Sequence, residues 1–124
     1  MFGKCFAHAI KSRELTEFLF RRGMDPNLKN WLGITPLHRF AEHGDVHNAA
    51  IFLENGADIN AVGEQHCTTP LGWSAKANKA EMVQFLLDNG ADPNLPTDKP
   101  WSRPRAWAER RGYENVLALN WPNA

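Results

Sequence analysis

The chain has 124 residues, and 14 Lys plus Arg balance 14 Asp plus Glu, so the formal net charge is zero with histidine neutral. That length fits one small domain, and the charge balance excludes a generally basic nucleic-acid binder or an acidic mimic. A hydrophobic share of 43% is too high for a disordered chain.

At the N-terminal end, MFGKCFAHAIKSRELTEFLF carries charge at Lys11, Arg13, Glu14 and Glu17 and has no apolar run before a small-residue cleavage site, so no secretory leader is expected. No segment approaches the roughly 18 consecutive apolar residues of a membrane span. Cys5 and Cys67 lie far apart, neither in a CxxC pair. A disulfide scaffold is therefore excluded, and a reducing, cytoplasmic setting is expected.

The first predicted helix presents Leu15, Leu19 and Phe20 and ends at Gly23. A second opens at Thr35-Pro36, where a threonine hydroxyl can cap and a proline at the first helical position gives up no needed hydrogen bond. It presents Leu37, Phe40 and Ala41 and ends at Gly44; the third presents Ala49, Phe52 and Leu53 and ends at Gly56. The pattern then returns. Thr69-Pro70 opens a helix with Leu71, Ser74 and Ala75, ended by Asn78, which also tolerates the left-handed conformation. Val83, Leu86 and Leu87 follow, ended by Gly90, and Pro104 opens a last unit.

Two independent markers keep this beat. Gly23, Gly56 and Gly90 are spaced by 33 and 34 residues, and Pro36, Pro70 and Pro104 by 34 and 34. Each glycine is followed by a near-copy of one tetrapeptide: Met24-Asp25-Pro26-Asn27, Ala57-Asp58-Ile59-Asn60 and Ala91-Asp92-Pro93-Asn94. A helical hairpin of this size cannot bury its own apolar face, so neighbours must stack.

TPLHRFAEHGDVHNAAIFLENGADIN (35–60) and TPLGWSAKANKAEMVQFLLDNGADPN (69–94) resemble the ankyrin repeat, with its Thr-Pro-Leu-His turn, glycine, paired leucines and Gly-Ala-Asp-x-Asn. The resemblance implies an all-α solenoid of helix-turn-helix units with hairpin-like finger loops. Its units fall at about 2–34, 35–68, 69–102 and 103–124, the outer two degenerate as polar capping repeats. Family resemblance also makes His38 a structural histidine tying adjacent turns. It places Phe6, Arg39, Trp73 and Trp107 on the concave groove at a commonly exposed position, with Glu42, His43, Lys76, Arg110 and Arg111 in the next columns. Aromatic and arginine side chains are the anchors protein interfaces concentrate, although Trp73 and Trp107 could instead pack into a small core. Trp31, His66 and Trp101 occupy the fingers (27–35, 60–69 and 94–103), where exposure makes them anchors and folding back makes them covers. Trp121 reads as a cap over the preceding repeat.

The net charge runs +3, −4, −1 and +2 through the four units, which can orient a partner. His43 and His47 are separated by the helix-ending Gly44, and no glycine-rich phosphate loop or nucleophile-base set stands out, so neither an enzyme nor a bound metal or cofactor is expected. Asp25, Asp58 and Asp92 read as turn formers. The expected function is binding of one protein partner by a chain that is monomeric when free, with no nucleic acid and no membrane involved. The alternatives are an immunity or inhibitor protein that neutralises a toxin or enzyme, and a structural or homo-oligomeric solenoid.

Overall fold

The computed structural model describes residues 13–122. The helices are α1 Arg13–Arg21, α2 Pro36–His43, α3 Val46–Glu54, α4 Pro70–Lys76, α5 Ala80–Asp88, α6 Pro104–Arg111 and α7 Glu114–Leu117, and α2, α4 and α6 each start at a marker proline. Single 3-10 turns at Gln65–Cys67 and Pro100–Ser102 complete the regular structure, and the described residues contain no strand. Phe6 and Cys5 lie outside the described residues.

The starts are capped as the sequence implies. Thr69 Oγ1 accepts from the Gly72 N–H at 3.3 Å. Thr35 is capped reciprocally, its N–H donating to His38 Nδ1 at 3.1 Å while its hydroxyl meets the same nitrogen at 2.9 Å. Past α2 stands Gly44 with φ 72°, and past α4 Asn78 with φ 60°, so asparagine takes the glycine's left-handed role.

Leu37, Phe40, Ala41, Leu71, Ser74 and Ala75 are all buried, as are Ala49, Phe52, Val83 and Leu86. Leu53 and Leu87 are half-buried against this core. The first unit departs from the expected pattern. Leu15 is 47% exposed, and Thr16 is fully buried instead. Counting back from the terminal glycine explains the burial of Thr16, which shares the column of Ala49 and Val83; Leu15 differs in exposure from its own column partners Asn48 and Met82, which are buried. Trp121 packs on the core as a cap, its indole N–H donating to the Val116 carbonyl at 3.0 Å.

α2, α4 and α6 lie side by side as the closest neighbours in the stack, while the second helices meet more sparsely. Tight spacing on one side and loose spacing on the other curves the stack, which puts the first helices on the inner, groove side.

On the turns that follow the second helices, each aspartate caps its own loop. Asp25, Asp58 and Asp92 accept from the N–H of Asn27, Asn60 and Asn94 at 2.8 to 2.9 Å. The asparagines reach forward into the next unit: Asn27 Oδ1 accepts from Asp58 N–H at 2.6 Å and Asn60 Oδ1 from Asp92 N–H at 2.9 Å. Asn60→Ala is expected to cost about 1 kcal/mol, or about 4 °C in Tm. Asn94→Ala, which removes no such forward rung among the described residues, should stay within about 0.5 kcal/mol. Parallel thermal melts check the pair.

Candidate functional site

The expected groove is built on the third residue after each marker proline, at Arg39, Trp73 and Trp107. The first occupant, Arg39, is half-buried and pairs with Glu42 at 3.1 Å, its side chain 29% exposed. His43 stands exposed beside them, Nε2 3.9 Å from the same Glu42 oxygen.

The second occupant corrects the expectation of an exposed anchor: Trp73 is only 3% exposed. Trp73 belongs to the buried core, its ring edge to face with that of His38 at 6.2 Å between centroids, and it is also met by the second finger. It has one residue more than the first between its asparagine and its proline, and it folds that length into the 3-10 turn at Gln65–Cys67, with left-handed backbone at His66 (φ 61°) and Cys67 (φ 52°). This turn swings the His66 ring into the groove, edge to face with Trp73 at 5.2 Å between centroids and with Trp107 at 5.8 Å. The Ser102 hydroxyl donates to the His66 carbonyl and holds the turn from the next finger.

Trp107, the third occupant, is half-buried and surrounded by cations. Arg110 lies 4.4 Å from its ring centroid, Lys76 5.7 Å and Arg111 6.0 Å. Lys76 is also 5.7 Å from the Trp73 ring. Burial holds the His66 imidazole below its ordinary pKa, and the charges of Lys76 and Arg111 push the same way against the opposing pull of Glu42. Arg110 Nη1 also donates to the Trp101 carbonyl at 2.6 Å, tying the third finger to α6.

Beneath this surface a hydrogen-bonded spine fixes the helices. His38 is fully buried, and its Nε2 donates to the Thr68 carbonyl at 3.1 Å, while Nδ1 receives the Thr35 N–H. Desolvation lowers its pKa to about 4, so this tautomer is neutral. The next unit has Gly72 in the histidine's place, where any Cβ would collide with the Thr68 side chain. The matching tie to the Ser102 carbonyl is made from the other side, by the Trp107 indole N–H at 3.1 Å. Trp107 is therefore both a groove residue and a strut.

On the fingers, Trp31 is 89% exposed and Trp101 52%, so neither covers a joint between repeats. Among the expected site residues, His66, Trp73, Lys76, Trp107, Arg110 and Arg111 come together in one cluster. Arg39, Glu42 and His43 form a second group on α2, and Trp31 stands apart. The covering role of His66 was hidden because helical periodicity says nothing of where a finger folds; the one-residue excess in its length was the available signal. Among the described residues no three His, Cys, Asp or Glu side chains converge on a metal position, and no helix is long and apolar enough to cross a membrane.

The family model for ankyrin repeats in three copies matches residues 6–97. Ankyrin repeat protein FPV243 of Fowlpox virus (strain NVSL) is 44% identical over 48 residues, covering 39% of this chain and 18% of that protein. FPV230 of the same virus, also described as an ankyrin repeat protein, is 34% identical over 64 residues, covering 52% of this chain and 34% of that protein. The matches thus span between about a fifth and a third of the curated relatives' length.

Proposed function

The chain belongs to the ankyrin repeat family, a non-catalytic scaffold for protein–protein interaction, and on that premise we propose that it binds one protein partner through its groove and finger tips. The observation that supports this reading most is internal to the chain. Positions the fold needs repeat between the two central units, Leu37 with Leu71 and Ala41 with Ala75, and all four are buried. Groove positions differ between the two central units: Arg39 gives way to Trp73, which Trp107 repeats, and Glu42 to Lys76, which Arg110 matches in charge. A face furnished with aromatic and guanidinium groups suits a specific partner. The exposed Trp31 extends that surface along the fingers. A cytoplasmic setting accords with the free thiol of Cys67.

The test is affinity capture from a lysate of the source organism, with the intact chain beside Arg39→Ala plus Arg110→Ala on the groove and Trp31→Ala plus Trp101→Ala on the fingers. All of these residues are at least partly exposed, so the variants should keep the fold, which circular dichroism verifies. The expected result is one protein retained stoichiometrically by the intact chain and lost by the groove pair. Its identity then separates an immunity or inhibitor role from an adaptor. Absence of any specific partner, together with a dimer mass by light scattering, would overturn this reading in favour of a homo-oligomeric solenoid.

A further inference from the structure

Resting on the groove reading, we infer that the half of the groove formed by α4 and α6 receives an acidic peptide segment of the partner, with carboxylates seated among Lys76, Arg110 and Arg111. Three cations stand within 6.0 Å of the single Trp107 ring centroid, which confines them to a small patch of like charge. Such a cluster is self-repulsive, and an aromatic face offsets only part of that cost.

No carboxylate among the described residues forms an ion pair with any of the three. Glu42 is taken by Arg39 at 3.1 Å and Glu109 by Arg105 at 3.8 Å. Burial is the main cause of the depressed His66 pKa, and Lys76 and Arg111 add to it.

A second observation is independent of charge. The indole nitrogen of Trp73 is buried without a hydrogen-bond partner, in a side chain only 3% exposed, and the Nε of Arg39, one unit back in the same column, is likewise buried and unpaired. An unpaired buried donor costs free energy that an acceptor would recover. This half of the groove therefore carries positive charge that no carboxylate among the described residues pairs, with Glu42 engaged by Arg39, and its complement is a chain rich in acceptors and negative charge. The His66 ring beside Trp73 and Trp107 is held by edge-to-face contacts rather than by a side-chain hydrogen bond among the described residues, so it can yield to a ligand. A peptide is favoured over a nucleic acid because the positive patch is short, three cations about one ring.

The probe is an acetylated, amidated octaglutamate titrated into the isotope-labelled intact chain, followed by the indole and arginine N–H signals in two-dimensional NMR. Octalysine and an eight-nucleotide oligothymidylate serve as comparisons. The expected result is saturable movement of the Trp73 and Trp107 signals with octaglutamate, with Lys76→Gln plus Arg111→Gln raising Kd about tenfold while the melting temperature is kept. Octalysine should leave these signals unmoved. Groove signals that do not move with octaglutamate, or binding that survives the double substitution, would overturn the inference. Tighter binding of oligothymidylate would overturn it in favour of a nucleic acid. Failure here alongside partner capture by the intact chain would remove the acidic segment and leave the groove reading standing.

Discussion

Replacing His38 by alanine is expected to cost about 3 kcal/mol at pH 7, and most of that gap should disappear as the pH falls to 4. The substitution removes the donor to the Thr68 carbonyl and strands the Thr35 N–H that donates to Nδ1. Thr68 keeps a second partner in the Gly63 N–H at 3.0 Å, so most of the damage falls on the α2 cap. The pH dependence follows from the sign of the shift. The folded imidazole titrates at about 4 and the unfolded one at 6.5. Above 6.5 both states are neutral, and the histidine's full contribution is present. Between 6.5 and 4 the unfolded chain takes up a proton that the folded chain refuses, so stability falls with pH by about 3 kcal/mol in all. Urea titrations of both proteins from pH 7.5 to 4 measure the difference, which cancels the carboxylates they share. Curves that stay parallel across that range would show that His38 is not held neutral.

Phe52→Ala is expected to be at least as damaging, at about 4 kcal/mol. Phe52 is fully buried on α3, and its ring meets the edge of Phe20 from α1 and of Phe40 from α2, each at 4.9 Å between centroids. One truncation thus opens a cavity and unlinks the first unit from the second. A domain of this size has only about 5–15 kcal/mol in hand, and in a solenoid the lost interface cannot be made up by distant contacts. Phe18→Ala, on the same α1 helix but 45% exposed, should cost less than about 1 kcal/mol and serves as the contrast. A fall in the urea midpoint at unchanged slope is the expected reading. A loss below about 1.5 kcal/mol would mean that the first unit contributes little to the core.

The two markers made the stack legible because fold and sequence share one constraint: each unit must present the same atoms to its neighbour. Leu37, Leu71, Phe52 and Leu86 were readable as core for that reason. Thr16 was not, since a buried threonine among leucines breaks the apolar pattern and only the distance to Gly23 assigns its column. The groove was legible as a set of positions and not as a surface. Arg39 finds Glu42 one turn away, a pairing that helical spacing allows without requiring. Trp73 is sealed by His66, whose position depends on two left-handed residues that no residue type announces. Trp107 anchors to the Ser102 carbonyl because Gly72 lacks the side chain that would have reached it.

The forward reach of the asparagines sets a grammar for rearrangement. Asn27 offers the Asp58 N–H the same atom that Asn60 offers the N–H of Asp92, so the two junctions are chemically interchangeable. A segment of 33 or 34 residues cut out between equivalent points would bring Asn27 to face Asp92, and a segment duplicated there would find the same rung waiting at both ends. Lengthening or shortening this chain by whole units is thus a permitted edit, and the finger between the rungs absorbs a single extra residue, since the rung spans 31 residues at the first junction and 32 at the second. The groove, which runs Arg39, Trp73 and Trp107, would be rewritten by the same edit that left the ladder intact.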